Sequence, residues 1–302
     1  MSGTNSRAQF ELSVVIPTFN NEAILRRAIE SWQKAVETPG VEILVVEDGC
    51  RDGTAKFLGN VAQTDWGRTH FNWIHMDDAH ELKCTNAGFR AARAPLLMAW
   101  QDDMFLRARW LVAELTQIFV RHKEVGLLGL SRGLDMFPVD DPIERWEDLQ
   151  DWRRLRSTIG PSPWNWVRIQ EVDSIIRPWV IRRECLERVG LLDEAFVPTE
   201  WDEADLAFRV RAAGWKVATC GYERLGAYRH VGSSTLGTLS DAYKARVLRN
   251  GRLFHERWDP EIQRSHARKR ATWARPMSFE SWATTGMQAL RAVPRRLAER
   301  RG

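Results

Sequence analysis

Two stretches decide how this chain folds: Leu12-Ser-Val-Val-Ile16 with Pro17-Thr-Phe-Asn-Asn21 behind it, and Val41-Glu-Ile-Leu-Val-Val46 with Glu47-Asp-Gly49 behind it. A short apolar run closed by turn residues is the pattern of a strand buried on both faces. Between them, Ile24, Leu25, Ala28, Ile29 and Trp32 recur at helical spacing over Glu22 to Val36. The rhythm continues. Asp52 can cap a helix through Phe57 and Leu58, and Phe71 to Met76 alternates as a strand. Leu82 to Arg93 reads as a helix, Pro95 to Trp100 as a fourth strand, Arg107 to His122 as a helix and Val125 to Leu130 as a fifth strand. This order predicts an α/β fold: a Rossmann-like, doubly wound, mostly parallel sheet with helices on both faces. Ligands of such sheets sit beyond the carboxyl ends of the strands. Thr18 to Glu22, Glu47 to Gly49 and Gln101-Asp-Asp103 are therefore predicted to converge on one crevice.

With 302 residues, 44% of them hydrophobic, the chain can bury one large domain or two small ones. No run approaches the roughly 18 apolar residues of a membrane span. Met1 to Glu11 is polar, without the apolar stretch of a secretory signal. Cys50, Cys84, Cys185 and Cys220 lie far apart, in neither a disulfide framework nor a zinc ribbon, so a reducing cytoplasm is the expected compartment. The net charge of +4 hides an asymmetry: Glu261 to Gly302 holds ten Lys/Arg against three Glu, so the remainder is slightly acidic. A slightly acidic body argues against nucleic acid as a partner.

Past Leu130 the pattern is less regular. Ser131 to Asn165 is irregular and rich in Trp, Asp, Arg and Pro. Regular structure is expected again at Val172 to Ile181, in a helix from Arg183, in one from Asp202 to Ala213, and in Tyr243 to Trp258. After Asp259 a basic, loosely helical tail is expected, broken at Pro276 and Pro294.

No Gly-x-Gly-x-x-Gly follows the first strand and no Walker loop is present, which sets aside dinucleotide oxidoreductases and P-loop enzymes. Acids at strand ends facing a phosphorylated ligand call for a divalent cation, and Mg²⁺ and Mn²⁺ take carboxylate and phosphate oxygens. In isolation, Asp102-Asp103 reads first as a polar turn with helix-capping acids.

The pair is not isolated. Leu12 to Asn21, Glu42 to Thr54, Asn86-x-Gly88 with Ala91-Ala92, Gln101-Asp-Asp103, Val189-Gly-Leu-Leu-Asp-Glu-Ala-Phe196, Asp202-Glu-Ala-Asp-Leu-Ala-Phe-Arg209, and His230 with Gly232-Ser-Ser234 stand in a fixed order. Over about residues 11–258 the chain resembles glycosyltransferase family 2. The resemblance implies a GT-A fold and sugar transfer, with inversion, from a nucleotide-diphosphate sugar (a UDP-sugar is favoured) to an acceptor hydroxyl, assisted by Mn²⁺ or Mg²⁺. It implies a setting in bacterial-type polysaccharide, glycolipid or cell-envelope glycan synthesis. It divides the chain into an N-terminal tail (1–10), a nucleotide-sugar-binding half (11–131), an acceptor-binding and catalytic half (132–258) and a basic helical extension (259–302). Gln101 stands in place of the family's first Asp and keeps open a non-catalytic nucleotide-sugar- or carbohydrate-binding protein on the same fold. A sugar nucleotidyltransferase would be expected to show a Gly-rich basic loop, which Pro17 to Glu22 is not.

Carried over by position, Pro17, Thr18, Phe19 and Glu22 would line the nucleotide pocket and Asp48 would hydrogen-bond the base. Lys83 would assist the phosphates, Asp102 would face the ribose or diphosphate, and Asp103 and His230 would hold the metal. Glu203 would be the base that takes the acceptor proton, with Asp202 next in line. Both acids equally suit a helix N-terminus. Trp164, Trp166 and Trp201 would face a glycan or lipid-linked acceptor, or else cover the sheet. In the tail, Phe279, Trp282, Met287, Leu290 and Val293 lie among Arg291, Arg295, Arg296, Arg300 and Arg301. Such a segment either lies on an anionic membrane, here as peripheral contact at its inner face, or docks on its own domain or a partner.

Overall fold

The computed structural model describes residues 10–36, 40–138, 140–149, 155–157, 166–198, 200–232 and 240–299. The first half runs β1 (Leu12–Thr18), α1 (Glu22–Ala35), β2 (Val41–Asp48), α2 (Thr54–Gln63), α3 (Asp65–His70), β3 (Phe71–Met76) and α4 (His80–Ala91). It continues with β4 (Leu96–Ala99), β5 (Met104–Leu106), α5 (Leu111–Arg121) and β6 (Val125–Gly129). Then come β7 (Gly133–Met136), α6 (Trp146–Leu149), β8 (Leu155–Ser157), β9 (Arg168–Glu171), β10 (Ser174–Ile175), β11 (Trp179–Arg182) and α7 (Arg183–Val189). The chain closes with α8 (Asp202–Ala212), β12 (Lys216–Thr219), β13 (Tyr228–His230), α9 (Asp241–Ser265), β14 (Thr272–Ala274) and α10 (Phe279–Glu299).

The central sheet has the order β14-β9-β12-β6-β11-β4-β1-β2-β3. Only β9 and β11 run against the other strands, so the sheet is mostly parallel. Alternation along β1 assigns the layers. Leu12, Val14 and Ile16 face a core built with α1, α2 and α5, whereas Val15 faces one built with α4, α7 and α8. Helix α4 lies so close to β1 that a Cβ on Gly88 would meet Val15 Cγ1 at 2.3 Å. Two motif residues join the halves: Asn86 Nδ2 donates to the Leu192 carbonyl at 2.9 Å, and Leu192 N donates to Asn86 Oδ1 at 3.0 Å.

Asp52 ties two elements. Its oxygens accept from Thr54 N and from Glu22 N, each at 3.0 Å, so one carboxylate meets the first turns of both α2 and α1.

The C-terminal region departs from the expected loose tail. The boundary at Asp259 falls inside α9, which runs through Pro260 to Ser265. Arg257 Nη1 and Trp258 Nε1 donate to Asp205 on α8, and Ile262 is buried, which fastens the helix on either side of the proline. Next, β14 pairs with β9 at the sheet edge. Pro276 precedes α10 as expected, but Pro294 does not break it. A helical proline forfeits the bond to the carbonyl four residues back, here Leu290, an exposed residue whose carbonyl can turn to water. Among the described residues no helix is long and apolar enough to cross a membrane, and all four cysteines are free.

Candidate active site

The carboxyl ends of β1, β2 and β4 meet as the strand order requires. Thr18 Oγ1, at the end of β1, donates to Asp102 Oδ2 at 2.8 Å. Asp48, ending β2, accepts from Ala79 N at 2.6 Å and His80 N at 2.9 Å, so it also anchors the start of α4. Pro17, Thr18, Phe19, Asp48, Gln101 and Asp102 line one cavity of about 260 Å³, closed from α4 by Glu81 and Cys84. Phe19 is 59% exposed at its mouth, so it is not core packing; its ring is available for stacking. Burial pushes the Asp102 carboxyl up to about 6, although Thr18 and Asn21 hydrogen-bond its charged form. A larger groove, about 930 Å³, opens where β1 and β4 begin, at the opposite end of the sheet, and holds none of the expected site residues.

Asp103 and His230 come together through a device the sequence pattern did not reveal. The short strand β5, directly after Asp103, pairs antiparallel with β13, so His230 lies opposite Met104. His230 Nε2 then sits 3.4 Å from Asp103 Oδ1, and Val231 N donates to the Asp103 carbonyl at 3.1 Å. The hydrogen bond that His230 donates to Asp103 raises the His230 pKa. Among the described residues no cluster of three or more metal-ligating side chains forms. A buried carboxylate and an imidazole at this separation nonetheless fit a divalent cation that draws its other ligands from phosphate oxygens and water, as Mg²⁺ and Mn²⁺ do.

The third group enters from α8. Glu200 (φ 78°) and Trp201 (φ 68°) are both left-handed, a costly conformation that turns the chain sharply into Asp202. Glu203 accepts from Arg177 Nε at 2.8 Å, Trp179 Nε1 at 3.0 Å and Arg177 N at 3.2 Å. The same guanidinium pairs with Glu81 on the cavity wall and lies 3.9 Å from Asp202 Oδ2. Burial opposes the charge on Arg177, but the three carboxylates outweigh it and raise its pKa. Asp202 lies beneath: its Oδ2 has no hydrogen-bond partner among the described residues, and burial together with the Glu203 charge pushes its carboxyl up to about 7. The Asp202 side chain is 4% exposed and that of Glu203 is 18%, so Glu203 is the acid that reaches solvent.

Several expectations need correction. Glu22 does not line the cavity; its carboxylate pairs with Arg26 at 2.5 Å on the surface of α1. Lys83 is also absent from the lining, because the wall of α4 is formed by Glu81 and Cys84. Trp166 is buried in the core, and its carbonyl accepts from Arg275, so it belongs to the cover over the sheet and does not face an acceptor. Trp201 packs on Phe254 and His255, with ring centroids 5.1 Å and 5.4 Å away. Trp164 lies outside the described residues. The motif run Asp205 to Arg209 is structural: Asp205 accepts from Arg209 Nε at 2.7 Å, and that guanidinium caps the carbonyls of Val189 and Leu191. Arg177, Trp179 and Glu81 were missed. Arg177 stands before a proline with no periodic signal, and its partners are remote in sequence.

Residues 13–136 match the family model described as Glycosyl transferase family 2. The chain is 25% identical over 240 residues to a validoxylamine A glucosyltransferase of Streptomyces hygroscopicus subsp. limoneus, an alignment spanning 71% of this chain and 50% of that protein. It thus spans about half the length of the curated relatives it matches. Among solved structures it is similar to GalNAc-T7 with UDP, GalNAc and Mn²⁺ (TM-score 0.55, 13% identity, 70% of this chain and 42% of that one). It is similar also to the mannosyltransferase PcManGT from Pyrobaculum calidifontis in complex with GDP-Man and Mn²⁺ (TM-score 0.52, 15% identity, 94% of this chain and 81% of that one). At these identities the two structures establish the fold.

Proposed function

We propose that this chain, GT-A in fold and matched over residues 13–136 by the family 2 glycosyltransferase model, moves a sugar from a nucleotide-diphosphate donor to an acceptor hydroxyl with inversion. The observation that carries the reading is the convergence of three groups: the Thr18–Asp102 contact at the donor cavity, the Asp103–His230 pair beside it, and Glu203 held by Arg177 against Glu81 of the cavity wall. The relatives are a glucosyltransferase and two structures holding a nucleotide or nucleotide sugar with Mn²⁺.

In this reading Phe19 stacks on the base at the cavity mouth, Pro17, Thr18 and Asp48 shape its floor, and Asp102 receives the ribose or diphosphate. Asp103 and His230 would hold a divalent cation, Mn²⁺ or Mg²⁺, which when bound would offset the charge of the diphosphate. Arg177 and Trp179 fix Glu203 in one orientation. Its carboxylate takes the acceptor proton as the acceptor oxygen bonds to the anomeric carbon, while the bond to the diphosphate breaks with its electron pair leaving on phosphate. A UDP-sugar is the favoured donor, and the acceptor is a glycan or a lipid-linked sugar in polysaccharide, glycolipid or cell-envelope glycan synthesis. The basic C-terminal extension supports peripheral placement at the inner face of a membrane.

Release of nucleoside diphosphate from a panel of UDP-, GDP- and dTDP-sugars in the presence of Mn²⁺ tests the reading. Release from one donor class above the enzyme-free blank supports it; binding of a nucleotide sugar without release, with every candidate acceptor present, favours a non-catalytic binding protein instead.

A further inference from the structure

Helix α10 is attached to the domain by one face and leaves its apolar face uncovered. The attachment is a buried network around Glu114 of α5. Arg275 Nε donates to Glu114 Oε1 at 2.6 Å, Ser281 Oγ to Glu114 Oε2 at 2.6 Å, and Tyr222 Oη to Glu114 Oε1 at 2.7 Å. Ser281 and Thr285 are buried, and Ala289 packs on the core, so positions 281, 285 and 289 form the docked stripe. On the other side, Phe279 is 85% exposed, Trp282 62%, Met287 54% and Leu290 73%. At 100° per residue these four fall on one face of the helix. They are four of the seven large hydrophobic residues exposed among the described residues, and a soluble surface rarely gathers them so.

The charge of the segment says what covers this face. From Phe279 to Gly302 the sequence carries Arg291, Arg295, Arg296, Arg300 and Arg301 against Glu280 and Glu299, a surplus of three positive charges, whereas Arg264, Arg268, Arg270 and Arg275 before it are paired with acids. Apolar side chains including a tryptophan, beside a cationic surplus, on a helix too polar to span a bilayer, match an anionic lipid surface rather than a neutral protein groove. We propose that the Phe279–Trp282–Met287–Leu290 face of α10 seats this protein on anionic phospholipid. The helix makes one more contact on its docked side. Gln288 lies against Gly226, in the turn that leads directly into β13 and His230. The lipid contact stands on exposure and charge alone and does not depend on the transfer chemistry.

Cosedimentation of the full chain with phosphatidylcholine vesicles, with and without phosphatidylglycerol, tests it. Wild type is expected to bind the anionic vesicles at least about tenfold better than the neutral ones, with the gain lost as salt is raised. The double variant Trp282→Ser, Leu290→Ser should lose at least about tenfold of that binding, with an unchanged melting temperature because the Glu114 network is untouched. Equal binding to both vesicles, no binding to either, or a double variant that binds like wild type overturns the proposal. So does a concentration-dependent dimer that the double variant dissociates, since the face would then belong to a second copy.

Discussion

Arg177 donates from Nε to Glu203 Oε1 at 2.8 Å, and the same buried guanidinium reaches Glu81 on the wall of the donor cavity. One cation therefore joins the acid of the proposed acceptor side to the donor side. Removing it leaves the buried Asp202 and the partly buried Glu203 and Glu81 without their shared cation. Arg177→Met is expected to cost about 3–5 kcal/mol of stability, as for other buried ion pairs broken from one side. Chemical denaturation measures this; a loss well under that range would mean water already screens the cluster.

Asp202 supplies a pH test. Its carboxyl lies at about 7 in the fold against an ordinary 3.8, because of burial and the neighbouring Glu203 charge. Between those values the folded state binds the extra proton, so the stability Asp202 contributes is complete below 3.8 and falls away as pH rises towards 7. Asp202→Asn removes that dependence. The stability of the variant relative to wild type should rise through this window and then level off. A difference independent of pH would show that Asp202 ionises as an ordinary surface acid.

Glu114 and Arg275 make the C-terminal region part of the domain. Arg275→Met leaves Glu114 buried without its cation and should cost about 3–5 kcal/mol, whereas Glu114→Met with Arg275→Met should recover much of that loss. A chain ending near Asp259 should be destabilised too, since it lacks β14 and this anchor. Thermal melts of the single and double variants decide the matter; additive losses would show that the two residues do not act together.

Glu203 and Asp202 differ in what they can reach. Glu203→Gln keeps the size of the side chain but cannot take a proton, so kcat should drop about 10²- to 10⁴-fold with donor affinity nearly intact. Asp202→Asn should be milder, because its side chain faces inward. Steady-state rates with the donor found in the panel give the order. A reversed order would make Asp202 the base.

The first half of the fold was legible because its signals are local. Runs such as Val41 to Val46 and the spacing of Ile24, Leu25, Ala28, Ile29 and Trp32 name strand and helix without reference to distant residues. The convergence of Thr18, Asp48 and Asp102 followed from strand order. What escaped depends on long-range pairing. Met104–Leu106 is too short to show a period, and its partner Tyr228–His230 is remote. Arg177 and Arg275 look like ordinary surface charges until the fold buries them among acids. Trp166 shows the converse: a tryptophan suits a sugar-binding wall and a core equally well, and only the packing separates the two.

The account rests most heavily on Asp103 and His230, 3.4 Å apart, as a cation site serving a nucleotide. Calorimetric titration of UDP and of GDP into wild type and Asp103→Asn, each with Mn²⁺ and with EDTA, tests it directly. The predicted result is that wild type binds one nucleotide at least about tenfold more tightly with Mn²⁺, the charge of the diphosphate being offset there, and that Asp103→Asn loses this gain while melting as wild type does. An equal Mn²⁺ gain in Asp103→Asn, or no binding of either nucleotide by wild type, would contradict it.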